Sequence, residues 1–403
     1  MPRPPPLLFA LILSSACATK IGGSSGVVAA GIGGPLQAPA AAAPAEERAP
    51  AELLNDAESA LAVGEAARAV AHFARFLAAD PDEAGARQAY LGLARAHELL
   101  RDCAAALRAY GTYLDRFPEA SDRAEVYSRS GACHAELEEW ELSAVAYQSA
   151  RALTGDLLPS VRVEIATREG YARFQLGELE AAERLLAEAD EIFTAAQEEG
   201  SERFTSYYFV GMARFYRAAI HHRRFRDSPI RLPEKVMTED FARKFDHLQR
   251  AQEAYNHTIR AKHMFWVTAS GYQLGSLFEE FYDALMYAPV PEWLDDKQRQ
   301  VYYEELKGQL RPVVNKAIWV FEKNLETARR LGYESEFISR TEAKLNELQA
   351  ILLAGDTGWG KPHPRLMPES RGEIAAAGPN GADVADPLPA VDRKLFVPLP
   401  TPL

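Results

Sequence analysis

From residue 51 to residue 200 small and bulky apolar positions are set among charged ones on a helical period, and the pattern repeats. Small residues recur at Ala69, Ala106, Ser143 and Ala182, the first three at intervals of 37 residues (69 to 106 to 143). Four residues after each stands a larger apolar side chain, Phe73, Tyr110, Tyr147 and Leu186. Three further on come Phe76, Tyr113, Ala150 and Ala189. A repeat of this length on helical periodicity predicts an all-α stacked array, in which each unit buries a core only against its neighbours.

In the first unit a helix over Leu53 to Val63 breaks at Gly64, and a second helix, EAARAVAHFARFLAAD, stops at Asp80-Pro81. The glycine permits a tight turn and the proline cannot continue the hydrogen-bond ladder. Ala69 lets the two helices approach and Phe73 fills the space between them. The expected element is therefore an antiparallel helical hairpin.

This pattern resembles the tetratricopeptide repeat (TPR). The family's small eighth position matches Ala57, Ala94, Gly131 and Gly170, and its closing proline matches Pro81 and Pro118. Gly177-Glu178 repeats the turn of Gly64-Glu65, and Tyr207, Gly211 and the helix through Arg217 look like the start of a fifth unit. The spacing exceeds the family's length of about 34 residues, and the third and fourth units lack the closing proline. The resemblance implies a right-handed superhelical array whose first helices line a concave groove. Carried over, that register gives Leu54, Glu58 and Leu61, then Leu91, Arg95 and Glu98, then Glu125, Ser128 and the adjacent Arg129. Thr167, Tyr171 and Phe174 follow, then Tyr208, Met212 and Phe215. The groove candidates for a partner are Glu58, Leu61, Arg95, Glu98, Arg129, Tyr171, Phe174, Tyr208, Met212 and Phe215. Aromatic and arginine anchors in a concave surface are what binding hot spots are made of. The competing expectation is that the aromatic members are core, covered by the next helices.

Beyond residue 227 the match fades. DSPIRLPEK is a proline-broken excursion, and helices are predicted over 239–262, 263–287, 296–310, 312–331 and 335–353, with Pro312 placed to start one. AIWVFEKNLETARRLG carries Ala317, Phe321 and Asn324 at the offsets of a second helix, as a divergent closing unit would. The organisation expected is a signal peptide at 1–17, an Ala/Gly/Pro-rich linker at 18–50 and TPR-like repeats at 51–226. A divergent helical module at 227–353 and a Pro/Gly-rich tail at 354–403 complete it. Linker and tail lack the apolar surface to fold and are expected to be disordered.

The N-terminus, MPRPPPLLFALILSSACATK, has Arg3, an apolar run from Leu7 to Leu13 and small residues around Cys17. This is the layout of a signal peptide, too short to span a bilayer as a stable helix. LSSAC resembles a bacterial lipobox, with Ser14 standing where that motif has leucine. The resemblance implies lipidation of Cys17, and Ala18 after it is compatible with sorting to the outer membrane, facing the periplasm. Cleavage after Ala18, at the small residues Ala16 and Ala18, would release a soluble periplasmic or secreted protein instead.

Composition narrows the partners. The 403 residues are 47% hydrophobic, enough for a sizeable core, and carry a net charge of -12 with a pI of about 5.4. That balance argues against nucleic acid as the main partner. No lysine occurs from 51 to 200, whereas 214–262 is basic, running from Arg214 and Arg217 to Arg260 and Lys262. That stretch reads either as a solvated helix face with i,i+4 ion pairs or as a patch for an acidic partner. Cys103 and Cys133 fall on neighbouring helices of adjacent units, as buried thiols or as a disulfide.

Chemistry is harder to find. GDTGWGKP, residues 355–362, mimics a phosphate-binding loop, but Pro362 replaces the hydroxyl that binds magnesium, and no strand precedes it. His221, His222, His247, His257 and His263 have no i,i+4 pair suited to a metal. No catalytic residue, metal, cofactor or small-molecule substrate is assigned. The function expected is a non-enzymatic, lipid-anchored periplasmic scaffold or adaptor that binds other envelope proteins through its groove. Exported bacterial TPR lipoproteins of envelope assembly, cell-wall coordination or gliding motility are the similar type. The alternative is a soluble exported regulator or carrier that contacts an anionic cell-wall or envelope polymer through residues 214–262.

Overall fold

The computed structural model describes residues 50–155 and 157–356. The expected signal peptide, Cys17, the linker up to residue 49 and the tail from residue 357 lie outside the described residues. Thirteen helices and no strand are found among those described. They run as consecutive pairs: α1 Pro50–Ala62 with α2 Ala66–Ala78, α3 Glu83–Leu99 with α4 Cys103–Arg116, and α5 Arg123–Glu136 with α6 Trp140–Arg151. Next come α7 Pro159–Gln175 with α8 Leu179–Glu199, α9 Tyr208–Asp227 with α10 Glu234–Ile259, and α11 Met264–Met286 with α12 Asp296–Leu331. A final α13, Glu336–Asp356, takes in the first three residues, 354–356, of the expected tail.

The turn inside each of the first four pairs is the same object. Gly64, Arg101, Glu138 and Gly177 take left-handed backbone angles, with φ of 79°, 61°, 60° and 77°. The next N–H reaches back five residues in every case: Glu65 to Ala60, Asp102 to His97, Glu139 to His134 and Glu178 to Arg173, at 2.8–3.0 Å. This is the hydrogen-bond pattern by which a helix closes its orphan carbonyls and reverses. The glycine visible in units one and four is replaced in units two and three by residues for which the left-handed angle costs about 1–2 kcal/mol.

Packing within each pair sets a small residue under a large one. A Cβ on Gly131 would meet the Tyr147 ring at 3.0 Å, and one on Gly170 would meet Leu186 Cγ at 2.8 Å. Ala57 and Ala94 hold the equivalent place opposite Phe73 and Tyr110, all four buried. The same contact reappears far beyond the recognisable repeat: a Cβ on Gly275 of α11 would run into the Phe321 ring of α12, beside the fully buried Ala317. Hence α11 and α12 pack as a hairpin too.

Two expectations for the C-terminal half are corrected. The boundary at 226/227 falls inside a hairpin, because α10 packs back on α9 and supplies the second helix of the fifth unit, beginning at Glu234 rather than at 239. One hydrophobic core then runs without interruption from Val163 of α7 to Leu348 of α13. The second correction is Pro312, which does not start a helix but lies inside the 36-residue α12. That helix starts at a capping box, where Asp295 accepts from the Gln298 N–H at 2.8 Å and Gln298 Oε1 accepts from the Asp295 N–H at 2.9 Å. A proline inside a helix costs about 3 kcal/mol. Here Leu310 packs with Tyr282 and Met286 on one side of it, and Ala317 and Phe321 lie against α11 on the other.

The packing account makes opposite predictions for two helical glycines. On Gly211 a Cβ would lie 2.6 Å from Trp266, whereas on Gly111 of α4 it would meet nothing within 4 Å. Gly211→Ala should destabilise the protein by about 1–3 kcal/mol, and Gly111→Ala should stabilise it by up to about 1 kcal/mol. Denaturant unfolding of the two variants checks both signs.

Candidate functional site

Side-chain contacts join first helices of successive units, α1 to α3, α3 to α5, α7 to α9, α9 to α11 and α11 to α13. Gln88 of α3 donates to Glu58 of α1. Arg95 of α3 reaches Glu125 of α5 at 2.8 Å, and Arg129 of α5 reaches back to Glu98 of α3 at 2.9 Å while its Nε bonds Glu125 at 2.8 Å. Arg168 of α7, paired with Glu164 at 2.8 Å, lies over the Phe209 ring of α9 at 4.8 Å. Arg226 of α9 forks onto Glu280 of α11 at 2.6 and 2.8 Å, and Lys344 of α13 meets Glu279 of α11 at 3.1 Å.

Burial decides how these charges behave. Glu98 and Arg129 side chains are 2% and 8% exposed, so both ions have left water almost completely. Burial raises the Glu98 carboxyl to about 7, against the opposing pull of Arg129, Tyr110 and Arg95. Arg129 is shared with Glu125, so one guanidinium faces two carboxylates. For Glu125 burial also opposes ionisation, but Arg129 and Arg95 outweigh it and hold that carboxyl below its usual value. At Glu280 burial is overcome by His222 and Arg226, which hold the carboxyl at about 2. Glu280 can only accept, so His222 donates from Nε2 at 3.1 Å and takes the Tyr255 hydroxyl on Nδ1 at 3.1 Å.

The ten groove candidates divide at the middle of the array. Glu58, Leu61 and Arg95 are half-buried at the surface, with Leu54, Leu91, Glu125 and Ser128 around them. Glu98 and Arg129 are buried within the ion network just described. Tyr171, Phe174, Tyr208, Met212 and Phe215 are corrected from groove to core, all at 6% exposure or less. The cause is the ring stack that the following helices lay over them. Tyr216 meets Tyr171 at 4.8 Å and Phe174 at 5.1 Å, and Trp266 meets Phe215 at 5.1 Å and Tyr208 at 5.4 Å. Trp266 and Tyr216 were not singled out from the sequence. The signal for Trp266 was Gly211, a small residue inside an aromatic helix, which marks where a large ring must pass.

The basic stretch is drawn into the fold mostly by pairing across helices, with Arg250–Asp246 at 3.0 Å as an i,i+4 pair. Arg214 and Arg217 converge on Asp190 of α8 at 2.6 and 3.4 Å. Arg224 reaches Glu183 at 2.7 Å and Glu180 at 3.1 Å, and Arg231 and Arg243 share the buried Asp240 at 2.8 and 3.2 Å. Lys244 donates to the carbonyls of Phe225 and Ser228 at 2.7 and 2.8 Å, and burial pushes its ammonium down to about 8. Arg223, Lys235 and Arg260 stay exposed. Among the described residues no group of three His, Cys, Asp or Glu is placed to hold a metal, and no helix is long and apolar enough to cross a membrane.

On the other face a crevice of about 450 Å³ opens between α6, α7 and α8. Arg151, Arg173 and Arg184 line it with Glu169 and Glu188. Arg151 is held by Glu169 at 2.8 Å and Arg173 by Glu178 at 2.7 Å, so its polarity is mixed and largely self-satisfied.

Glu98 makes the stability of the network depend on pH in a defined sense. Its folded pKa lies above the ordinary 4.5, so its contribution is fully present below about 4.5 and is lost as pH rises through about 7. Replacing it by an uncharged isostere removes that loss. The melting temperature of Glu98→Gln relative to the parent should therefore be more favourable at pH 8 than at pH 5. A difference that does not change with pH contradicts the assignment.

No family model and no curated protein matches the sequence. Among solved structures the chain is similar to the MamA protein, at 14% identity and a TM-score of 0.37, over 53% of this chain and 96% of that one. It is also similar to a tetratricopeptide repeat protein from Parabacteroides merdae, at 13% identity and a TM-score of 0.35, over 74% of this chain and 98% of that one. The molecule's own geometry, six antiparallel hairpins closed by a thirteenth helix, with a small-under-large contact within five of the pairs, is the stacked helical array that the repeat pattern predicts.

Proposed function

We propose that the chain is a non-enzymatic scaffold that holds protein partners of a bacterial envelope machine, exported and lipid-anchored at Cys17. The observation that carries this reading is the inner face of α1, α3 and α5. There Leu54, Leu61 and Leu91 lie half-buried beside Glu58, Arg95 and Glu125, on helices joined by the Arg129–Glu98 pair between α3 and α5 and by Gln88–Glu58 between α3 and α1. A surface whose side chains are ordered before a partner arrives loses less entropy on binding. Stacked hairpins present such surfaces over a long span. The mixture of leucines with both signs of charge suits an amphipathic peptide or helix.

Export and anchoring rest on the signal-like N-terminus and the lipobox-like LSSAC. The polymer-carrier alternative gains no support from residues 214–262, since most of their cations already face carboxylates or carbonyls within the fold.

Photo-crosslinking residues placed at Leu61 and Arg95 in cells test the reading. They should capture discrete proteins in the outer-membrane fraction, while the same residue at the exposed Val145 of α6 should not. Arg95→Glu should weaken recovery of those partners about tenfold with the fold intact. Capture that is equal from Val145, or a protein found only in the cytosol, contradicts it.

A further inference from the structure

Cys103 and Cys133 are both buried free thiols in one apolar cluster that also contains Tyr110 and Phe117. They lie on the two sides of the junction between the second hairpin and the third, where α4 packs on α5, close enough that each thiol perturbs the other's ionisation. Their surroundings differ. Cys103 is the first residue of α4, at the positive end of that helix, where the Asp102 side chain accepts from the Ala105 N–H. It retains 9% exposure, at the edge of the cluster. Cys133 lies deeper, at 1%, and its thiol points to Glu98 Oε1 at 3.9 Å.

We propose that Cys103 and Cys133 form a reversible disulfide that locks the second hairpin to the third. The outer Cys103 thiolate attacks a small disulfide such as oxidised glutathione, forming a mixed disulfide and releasing one glutathione thiolate. Cys133 gives its proton to Glu98 and attacks the Cys103 sulfur, expelling the second glutathione thiolate. Two cysteine thiols lose two protons and two electrons, and one glutathione disulfide gains both to become two thiols. Glu98 has the affinity for this task, since burial raises its carboxyl to about 7.

The bond would join the start of α4 to α5, beside the Arg101–Glu136 pair at 3.2 Å, and close the loop from 103 to 133. The joint it fixes carries Arg95, Glu98, Glu125 and Arg129 on its inner side. Oxidation would therefore stiffen the part of the inner face that the scaffold reading offers to partners. The chemistry itself is independent of that reading and of the compartment.

The test uses the purified full chain, treated with oxidised glutathione, quenched in acid and alkylated with N-ethylmaleimide before trypsin digestion. Peptides 102–108 and 130–151 should appear linked, two hydrogens lighter than their sum, and the oxidised protein should melt several degrees higher than the reduced one. Cys133→Ser should trap glutathione on Cys103, whereas Cys103→Ser should leave Cys133 unmodified. Both peptides carrying maleimide after oxidation, or glutathione remaining on Cys103 of the parent protein, overturns the proposal, as does a melting temperature that oxidation does not raise. If either serine variant fails to fold, the peptide masses of the parent chain decide alone.

Discussion

Close approach of two helices within each hairpin is the constraint on which the rest depends. It needs a residue with little or no side chain directly beneath a large one. Gly131 beneath Tyr147, Gly170 beneath Leu186 and Gly275 beneath Phe321 show how little room is left. Where that contact forms, the second helix is held at a fixed depth and the turn must be tight, which is why Arg101 and Glu138 accept the left-handed angles that Gly64 and Gly177 take freely. The next hairpin then has a defined ledge to stack on. A substitution at one of these positions would disturb a stacking geometry that every later unit inherits.

Stacking in turn brings the first helices close enough for long polar side chains to bridge them. Arg129 with Glu98 is buried and Arg226 with Glu280 partly so, and such pairs contribute less net stability than their short distances suggest. Their value lies in geometry. A guanidinium that must satisfy two carboxylates on two helices admits few arrangements of those helices. Toward the C-terminus aromatic rings take over the same bridging, with Trp266 and Tyr216 spanning α7, α9 and α11. The array thus changes from a charged, partly open inner face at α1–α5 to a closed aromatic core at α7–α11.

Much of the fold was legible in the sequence because the small-under-large contact leaves an imprint at fixed spacing. Ala69, Ala106, Ser143 and Ala182, each four residues before a bulky neighbour, identify four hairpins, and Ala317 with Phe321 hints at one far downstream. The fifth hairpin was legible only by half, since DSPIRLPEK interrupts the spacing and α10 follows the turn at an offset that the earlier units do not share. Pro312 misled because a local rule met tertiary packing strong enough to override it. For the inner face, register placed Tyr171, Phe174, Tyr208, Met212 and Phe215 on the right helices. Register cannot report how closely the next helix approaches: Tyr216 covers Tyr171 and Phe174, and Trp266 covers Tyr208 and Phe215 from more than fifty residues away in the chain. The basic stretch misled for a similar reason: Asp190, Glu183 and Glu280, which neutralise Arg214, Arg217, Arg224 and Arg226, lie outside it in sequence.

The central claim is that the array does not end at residue 226, and that α9 to α13 continue the same stack on one core with α7 and α8. Hydrogen exchange followed by mass spectrometry tests this most directly. The account predicts that amides of 208–227 and of 234–286 are protected to a similar degree and lose protection together as denaturant is added. Opening of 234–356 as a unit, while 208–227 keeps its protection, would contradict it.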